Sequence, residues 1–136
     1  MKLSMTYSVK TKRLNHIFMD TVRLYRQAVS FFMDVCLQEW NTVSSGKGQK
    51  ERVNLVESFT VASKKNPSVP YDFGADFYKF PCYLRRAAIA EALGKVSSYR
   101  SNLTRWEAAD PASRGEKPGL PQAGIVYPAM YRENMF

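Results

Sequence analysis

The chain has 136 residues, of which 45% are hydrophobic and 13% aromatic, enough to bury one core without disulfides or a structural metal. Its 20 Lys and Arg residues outnumber 12 Asp and Glu residues, and the net charge of +8 favours a polyanionic partner, nucleic acid before acidic lipid. No apolar run approaches the roughly 18 residues of a membrane span, and CxxC, Cys/His and paired-carboxylate patterns are missing, so the sequence predicts neither a membrane protein nor a metal site.

Residues 1–10 are predicted to form a strand. Leu3, Met5, Tyr7 and Val9 alternate with polar residues, which is the two-residue period of a half-buried strand. Because a single strand is not stable alone, it needs a partner further along the chain.

Residues 13–41 are predicted to form a long helix. One stripe holds ten residues: Leu14, Ile17, Phe18, Thr21, Leu24, Tyr25, Ala28, Phe31, Phe32 and Val35. Five more widen it beyond half the circumference: Val22, Val29, Met33, Cys36 and Trp40. A helix this apolar is expected at the centre of a bundle, with its aromatic residues in the core. His16 has no acidic residue or cysteine at a spacing that would make it a metal ligand or a general base, so it is expected at the surface or as a helix cap.

A Ser/Gly/Lys-rich loop follows at residues 42–49, and a shorter helix is predicted at 51–64. The loop is faintly similar to a phosphate-binding loop, but it lacks the upstream glycine and the hydroxyl residue after the lysine. Residues 64–81 contain Pro and Gly and are predicted to be mostly turns, with a possible helical turn at 76–79. The aromatic residues of this segment, Tyr71, Phe73, Phe77 and Phe80, are expected to attach it to the bundle.

The second long helix is predicted at residues 80–109. Its apolar face carries Leu84, Ala88, Ile89, Ala92, Val96, Tyr99, Leu103 and Trp106. Pro81 suits a helix start, and the Asp110-Pro111 pair is expected to end it. Cys36 and Cys82 both fall on predicted helices, and without a secretion signal we expect them to be reduced core residues in a cytoplasmic protein.

The last segment is a basic, Pro/Gly-rich connector followed by apolar residues from Ile125 onwards that are typical of strands. The chain ends there without a turn or a polar tail, so the sequence predicts a chain cut within a sheet. The fold class predicted is therefore mainly α, a helical bundle flanked by N- and C-terminal strands. Its parts are a first strand at 1–10, the bundle at 11–110, and the connector with return strands at 111–136.

Several short segments resemble the N-terminal part of the TnpB/OrfB proteins of bacterial insertion sequences, relatives of the type V CRISPR effectors. Residues 7–10 (YSVK) are similar to the opening strand of that family, and residues 24–28 (LYRQA) with Phe31 to its first recognition helix. Residues 83–107 resemble its second helical block. The connector at 114–124 and residues 127–136 are similar to the segments that lead back into the sheet.

The resemblance implies the non-catalytic front end of an RNA-guided DNA endonuclease of a transposable element. In that family the strands belong to a wedge barrel, and the helices form a recognition lobe that binds guide RNA and the guide–target duplex. The RuvC-like acidic residues and the zinc ribbon of the family lie downstream, so magnesium and zinc are expected only there and no cofactor is expected in this chain. Cleavage, and the DNA recombination it serves, is therefore not expected from this polypeptide alone.

Binding of RNA and DNA would use cations on the rims of rigid helices, because such a duplex is recognised by backbone charge and shape. The residues predicted to contact nucleic acid are Lys10, Lys12, Arg23, Arg26, Arg85, Arg86, Lys95, Arg100, Arg105, Arg114, Lys117, Tyr131 and Arg132. Arg86 and Arg100 share one flank of the second long helix. For each of these residues the alternative is a solvated helix face or, for Tyr131, core packing.

Two other functions stay open at this point. A basic helical module that docks on an acidic protein would need no nucleic acid, and it would be able to self-associate through unpaired strands. An autonomous enzyme is the third possibility, but no acid/base or metal constellation supports it.

Overall fold

The computed structural model describes residues 4–5 and 16–128, and these residues contain five helices and no strand. The helices are α1 (His16–Gln38), α2 (Trp40–Val43), α3 (Gln49–Thr60), α4 (Phe73–Asp76) and α5 (Cys82–Ala108). The two long helices α1 and α5 pack against each other, and α3 packs on α5. The described part of the chain is thus a helical bundle.

The predicted flanking strands of a wedge-type barrel are wrong. Ser4 and Met5 are irregular, and residues 121–128 contain no strand. In place of a sheet partner, the Val126 carbonyl accepts a hydrogen bond from Arg26 Nε at 2.9 Å, so this backbone group is paired without a neighbouring strand. Residues 1–3, 6–10 and 129–136, where the rest of these strands was predicted, lie outside the described residues.

The core lies between α1 and α5. From α1 it takes Tyr25, Ala28, Val29, Phe32, Met33 and Cys36, and from α5 Ala87, Ala88, Ile89, Ala92, Leu93 and Val96. Small residues of α5 allow close packing against the larger ones of α1. The core position predicted for Tyr25 and Phe32 is confirmed, since they are 1% and 0% exposed.

The buried face of α1 is rotated from the predicted stripe. Ile17, Phe18 and Leu24 are exposed, whereas Val22, Val29 and Met33 are buried. Because apolar residues cover more than half of this helix, the periodicity does not select one direction. The helix also ends at Gln38, before the predicted residue 41, and α2 begins after Glu39.

An aromatic cluster attaches the segment before α5 to α1, as predicted for its phenylalanines. Phe73 of α4 stacks on Phe32 with ring centroids 4.8 Å apart and on Phe77 at 4.6 Å. Phe80 meets Phe73 edge to face at 5.4 Å. The helical turn lies at α4, three residues before the predicted one. Offset and edge-to-face pairs of this kind each contribute about 0.5–1.5 kcal/mol beyond burial.

The limits of α5 are close to those predicted. Pro81 is the residue before the first helical turn, and the helix ends at Ala108, two residues before Asp110. Beyond it the chain reverses. Trp106 Nε1 donates to the Gly115 carbonyl at 2.8 Å, and the Arg114 guanidinium lies 3.7 Å from the Trp106 ring centroid. Residues 111–128, the return segment, then reach α1 at Arg26.

Candidate nucleic-acid interface

Three arginines from two helices line one open groove on the surface. The groove has a volume of about 510 Å³ and is lined by Trp40, Arg52, Ser97, Arg100, Ser101, Thr104 and Arg105. We call it the arginine groove. Within the part of the chain that the structure describes, no carboxylate lines it. Its formal charge is therefore +3, and its other polar lining groups are hydroxyls and the indole of Trp40.

The loop between α2 and α3 holds Arg52 in the groove. Arg52 Nε donates to the Gly46 carbonyl and Nη2 to the Ser44 carbonyl, both at 3.3 Å. Its guanidinium lies 5.9 Å from the Trp40 ring centroid, which is cation–π range. The loop approaches closely because residue 46 is a glycine, since a Cβ there would lie 2.9 Å from Arg52 Cγ. Arg52 is thus fixed in position, and among the described residues its charge has no carboxylate partner.

The other side of the groove is one face of α5. Ser97, Arg100, Ser101, Thr104 and Arg105 recur at helical spacing. Arg100 is exposed, and its side chain makes no hydrogen bond or ion pair with any described residue. Arg105 donates from Nη2 to Asn102 Oδ1 at 2.6 Å. This partner is neutral, and Arg105 forms no ion pair with a residue that the structure describes.

The dimensions of the groove suit a phosphate backbone. Eight residues separate Ser97 from Arg105, a rise of about 12 Å along the helix. One strand of a duplex presents a phosphate about every 3.4 Å of its axis, so the groove spans roughly three to four phosphates. Guanidinium forks and hydroxyls are the groups that contact phosphate oxygens. Apart from the partly exposed ring of Trp40, the described lining consists of arginines and hydroxyl residues, so the groove presents mainly positive charge.

Arg85 and Arg86, predicted to bind nucleic acid, meet Glu57 of α3. Arg86 Nε donates to Glu57 Oε1 at 2.9 Å, and Arg85 Nη2 lies 3.7 Å from the same oxygen. Arg86 Nη2 also donates to Asn54 at 3.3 Å. Arg86 and Arg100 do share a flank of α5, but only Arg100 lines the groove. The ion pairs join residues 28 and 29 apart in sequence, so they depend on the packing of α3 on α5.

Three more predicted arginines have contacts within the chain. Arg26 binds the Val126 carbonyl and lies 5.1 Å from the Tyr127 ring centroid. Arg114 packs on Trp106 and donates to the Trp106 carbonyl at 3.4 Å. Arg23 is exposed and pairs with Asp20 one helical turn away at 3.2 Å. Arg26 and Arg114 hold the return segment against the helices.

Lys95 lines a second groove of about 570 Å³ between α5 and the return segment, beside Glu91. Lys117 is exposed on the return segment. The structure therefore brings together Arg100 and Arg105 of the predicted set and adds Arg52. The remaining predicted residues, Lys10, Lys12, Tyr131 and Arg132, lie outside the described residues.

Arg52 was missed by sequence reasoning. Its position in the first turn of α3, directly after a loop rich in Ser and Gly, is the signal that would have found it. Such a loop exposes carbonyl groups, and the Arg52 side chain reaches those of the residues six and eight positions upstream.

The two cysteines differ in environment. Cys36 is fully buried, and burial raises the pKa of its thiol from 9.0 to about 12. Cys82 is exposed in the first turn of α5, so its predicted core position is wrong, and its Sγ accepts a contact from Arg85 Nη2 at 3.4 Å. His16 is exposed, as predicted.

Among residues 4–5 and 16–128, no group of three or more His, Cys, Asp or Glu side chains is arranged to hold a metal ion. The same residues contain no helix with the length and hydropathy of a membrane span.

Comparison with known proteins places the chain in a family. The sequence matches the Aq_aa04 family over residues 4–136. The chain belongs to the Aq_aa04 family. A relative within it is the uncharacterized protein aq_aa04 of Aquifex aeolicus (strain VF5), which is 29% identical over 125 residues, covering 81% of this chain and 68% of that protein. No solved structure matches significantly.

Proposed function

We propose that this member of the Aq_aa04 family binds nucleic acid through the phosphate backbone, with the arginine groove as its contact surface. The proposal depends on one observation: one groove is lined by Arg52, Arg100 and Arg105, and no carboxylate of the described residues lines it. A groove of charge +3 attracts a polyanion, and the net charge of +8 extends that attraction over the whole chain.

The class of nucleic acid that we propose comes from the resemblance of the sequence to the N-terminal part of TnpB/OrfB proteins. The ligands are guide RNA and the RNA–DNA duplex of a transposon-encoded, RNA-guided nuclease, and the chain supplies binding while cleavage belongs to other polypeptide. Duplexes of this kind are held by charge and shape without base-edge contacts. Among the described residues Trp40 is the one aromatic side chain that lines the groove, and it is only partly exposed. This fits binding by charge better than the aromatic platforms of single-strand binders.

The salt dependence of binding tests the proposal. Three arginine–phosphate contacts predict a slope of about −2.7 for log affinity against log salt on a duplex. The probe is a fluorescein-labelled 20-base-pair RNA–DNA hybrid, titrated by anisotropy between 50 and 200 mM NaCl. Replacing Arg100 and Arg105 together by Ala leaves one contact and brings the slope to about −0.9. We expect an affinity loss of about tenfold or more, because a loss of only 0.7 kcal/mol per arginine already amounts to that factor.

The matched control removes two cations elsewhere. Lys64 and Lys65 are exposed in the segment after α3, so their replacement by Ala lowers the net charge equally without touching the groove. Equal slopes for the two double variants would contradict the groove as the contact surface. If the wild-type chain binds no RNA, DNA or hybrid, nucleic-acid binding is refuted and docking on an acidic protein becomes the explanation of the charge.

A further inference from the structure

Glu57 contacts two arginines, so it keeps one cationic partner when the other turns away. Arg86 and Arg85 both approach the same oxygen, Oε1, at 2.9 and 3.7 Å. The cluster therefore has two guanidinium groups for one carboxylate and an excess charge of +1. The first turn of α5 contains no acidic residue that would compensate it.

The two arginines differ in exposure. The Arg86 side chain is 38% exposed, whereas that of Arg85 is 18% exposed and its Nε is buried without an acceptor among the described residues. Arg86 is therefore the one that is able to turn towards a ligand. Arg85 would remain as the partner of Glu57, so the departure of Arg86 leaves no carboxylate unpaired.

Arg86 also lies where a bound duplex would pass. It is 14 residues from Arg100, which puts both on one flank of α5 about 21 Å apart. From Arg86 to Arg105 the rise is about 28 Å, equal to roughly eight base-pair steps of a duplex. A duplex that occupies the arginine groove and lies along this flank reaches Arg86 within a single turn of its helix.

We propose that Glu57 competes with the nucleic-acid backbone for Arg86. In the free chain Glu57 holds Arg86 against α3. In the complex a phosphate group takes Arg86 as a fourth contact, while Arg85 stays on Glu57. With this fourth contact the expected salt slope becomes about −3.6 for the wild type and about −1.8 for Arg100→Ala/Arg105→Ala, in place of the values for the groove alone. This inference rests on the proposed function and adds to it a residue that sets the affinity. A phosphate competes effectively because its oxygens accept the same bidentate guanidinium geometry as a carboxylate.

The test is Glu57→Gln, which keeps an oxygen acceptor but removes the competing charge. The probe is again the labelled 20-base-pair RNA–DNA hybrid, with the full 136-residue chain. We expect binding about three- to tenfold tighter at 100 mM NaCl than for the wild type. The control is Asp34→Asn on the exposed face of α1, which changes the net charge equally, and helicity and the melting temperature of each variant check the fold.

Combining variants identifies the residue responsible. Adding Arg86→Ala to Glu57→Gln is expected to remove the gain in affinity. It should also make the salt slope shallower by about 0.9 than that of Glu57→Gln alone. A gain no larger than that of Asp34→Asn overturns the inference, as does a gain that survives the loss of Arg86. If Arg100→Ala/Arg105→Ala weakens binding while Glu57→Gln changes nothing, the role of Glu57 alone is refuted. If no variant responds, the proposed function is refuted as well.

Discussion

Replacing Gly46 by Ala is expected to weaken nucleic-acid binding without removing any charge. An added Cβ would lie 2.9 Å from Arg52 Cγ, 3.2 Å from the Arg52 backbone nitrogen and 3.3 Å from the Val43 carbonyl oxygen. Carbon atoms in normal contact are about 3.5–4.0 Å apart, so the Arg52 stem must move by roughly 0.6–1 Å. The helix backbone on the other side prevents the loop from absorbing all of this shift.

That displacement is enough to release the guanidinium group. The hydrogen bonds from Arg52 to the Gly46 and Ser44 carbonyls are already 3.3 Å long, and a further shift of this size breaks both. A free arginine side chain has about 2 kcal/mol of rotamer entropy to lose on binding. We therefore expect a loss of about 1–2 kcal/mol, or about 5- to 30-fold in affinity.

The assay is anisotropy with the RNA–DNA hybrid, with the salt slope as a second readout. Gly46→Ala keeps the charge and should leave the slope unchanged, whereas Arg52→Ala should make it shallower by about 0.9. Gly119→Ala is the control, since a Cβ there meets nothing within 4 Å. Wild-type affinity for Gly46→Ala, in a variant with unchanged melting temperature, would refute the idea that the loop prepositions Arg52.

Two further predictions concern the core. Phe32→Ala removes a fully buried ring that stacks on Phe73 and is expected to lower the free energy of unfolding, measured in urea, by about 3–5 kcal/mol. The control Phe18→Ala, on the same helix at 49% exposure, should lower it far less. Similar losses for the two variants would contradict the observed orientation of α1. In the native protein at pH 8, a thiol reagent should label Cys82 but reach Cys36 only after unfolding. Burial raises the pKa of the Cys36 thiol from 9.0 to about 12. The contribution of the buried neutral thiol to stability is therefore fully present below pH 9.0 and is lost as the pH rises towards 12. A free energy of unfolding that does not change with pH across this range would argue against the buried thiol.

Local signals in the sequence predicted the position of α5 well. Pro81 and the Asp110-Pro111 pair act through backbone geometry within one or two residues, so they limit the helix whatever its surroundings. The aromatic residues around α4 were likewise expected to attach to the bundle, because rings of this size are rarely left in solvent.

Features set by tertiary packing were not predictable in the same way. The apolar surface of α1 is too wide to choose between Leu24 and Val29 as the buried side, and the choice is made by α5. The pairing of Arg86 with Glu57 and the meeting of Arg52 with Arg100 each require α3 to lie on α5. The alternation in residues 1–10 favoured a strand, but the described residues Ser4 and Met5 do not form one.

The return segment is secured at two distant places, by Trp106 with Arg114 and Gly115 near the end of α5 and by Arg26 on α1. Helix ends that project beyond their packing partners normally fray, and their amide protons exchange quickly. Here the last turns of α5 are tied through the return segment to the other long helix. Opening them requires the release of Trp106 from Arg114 and Gly115, so the amide protons of the last turns of α5 are expected to exchange more slowly than those of a helix end without such contacts.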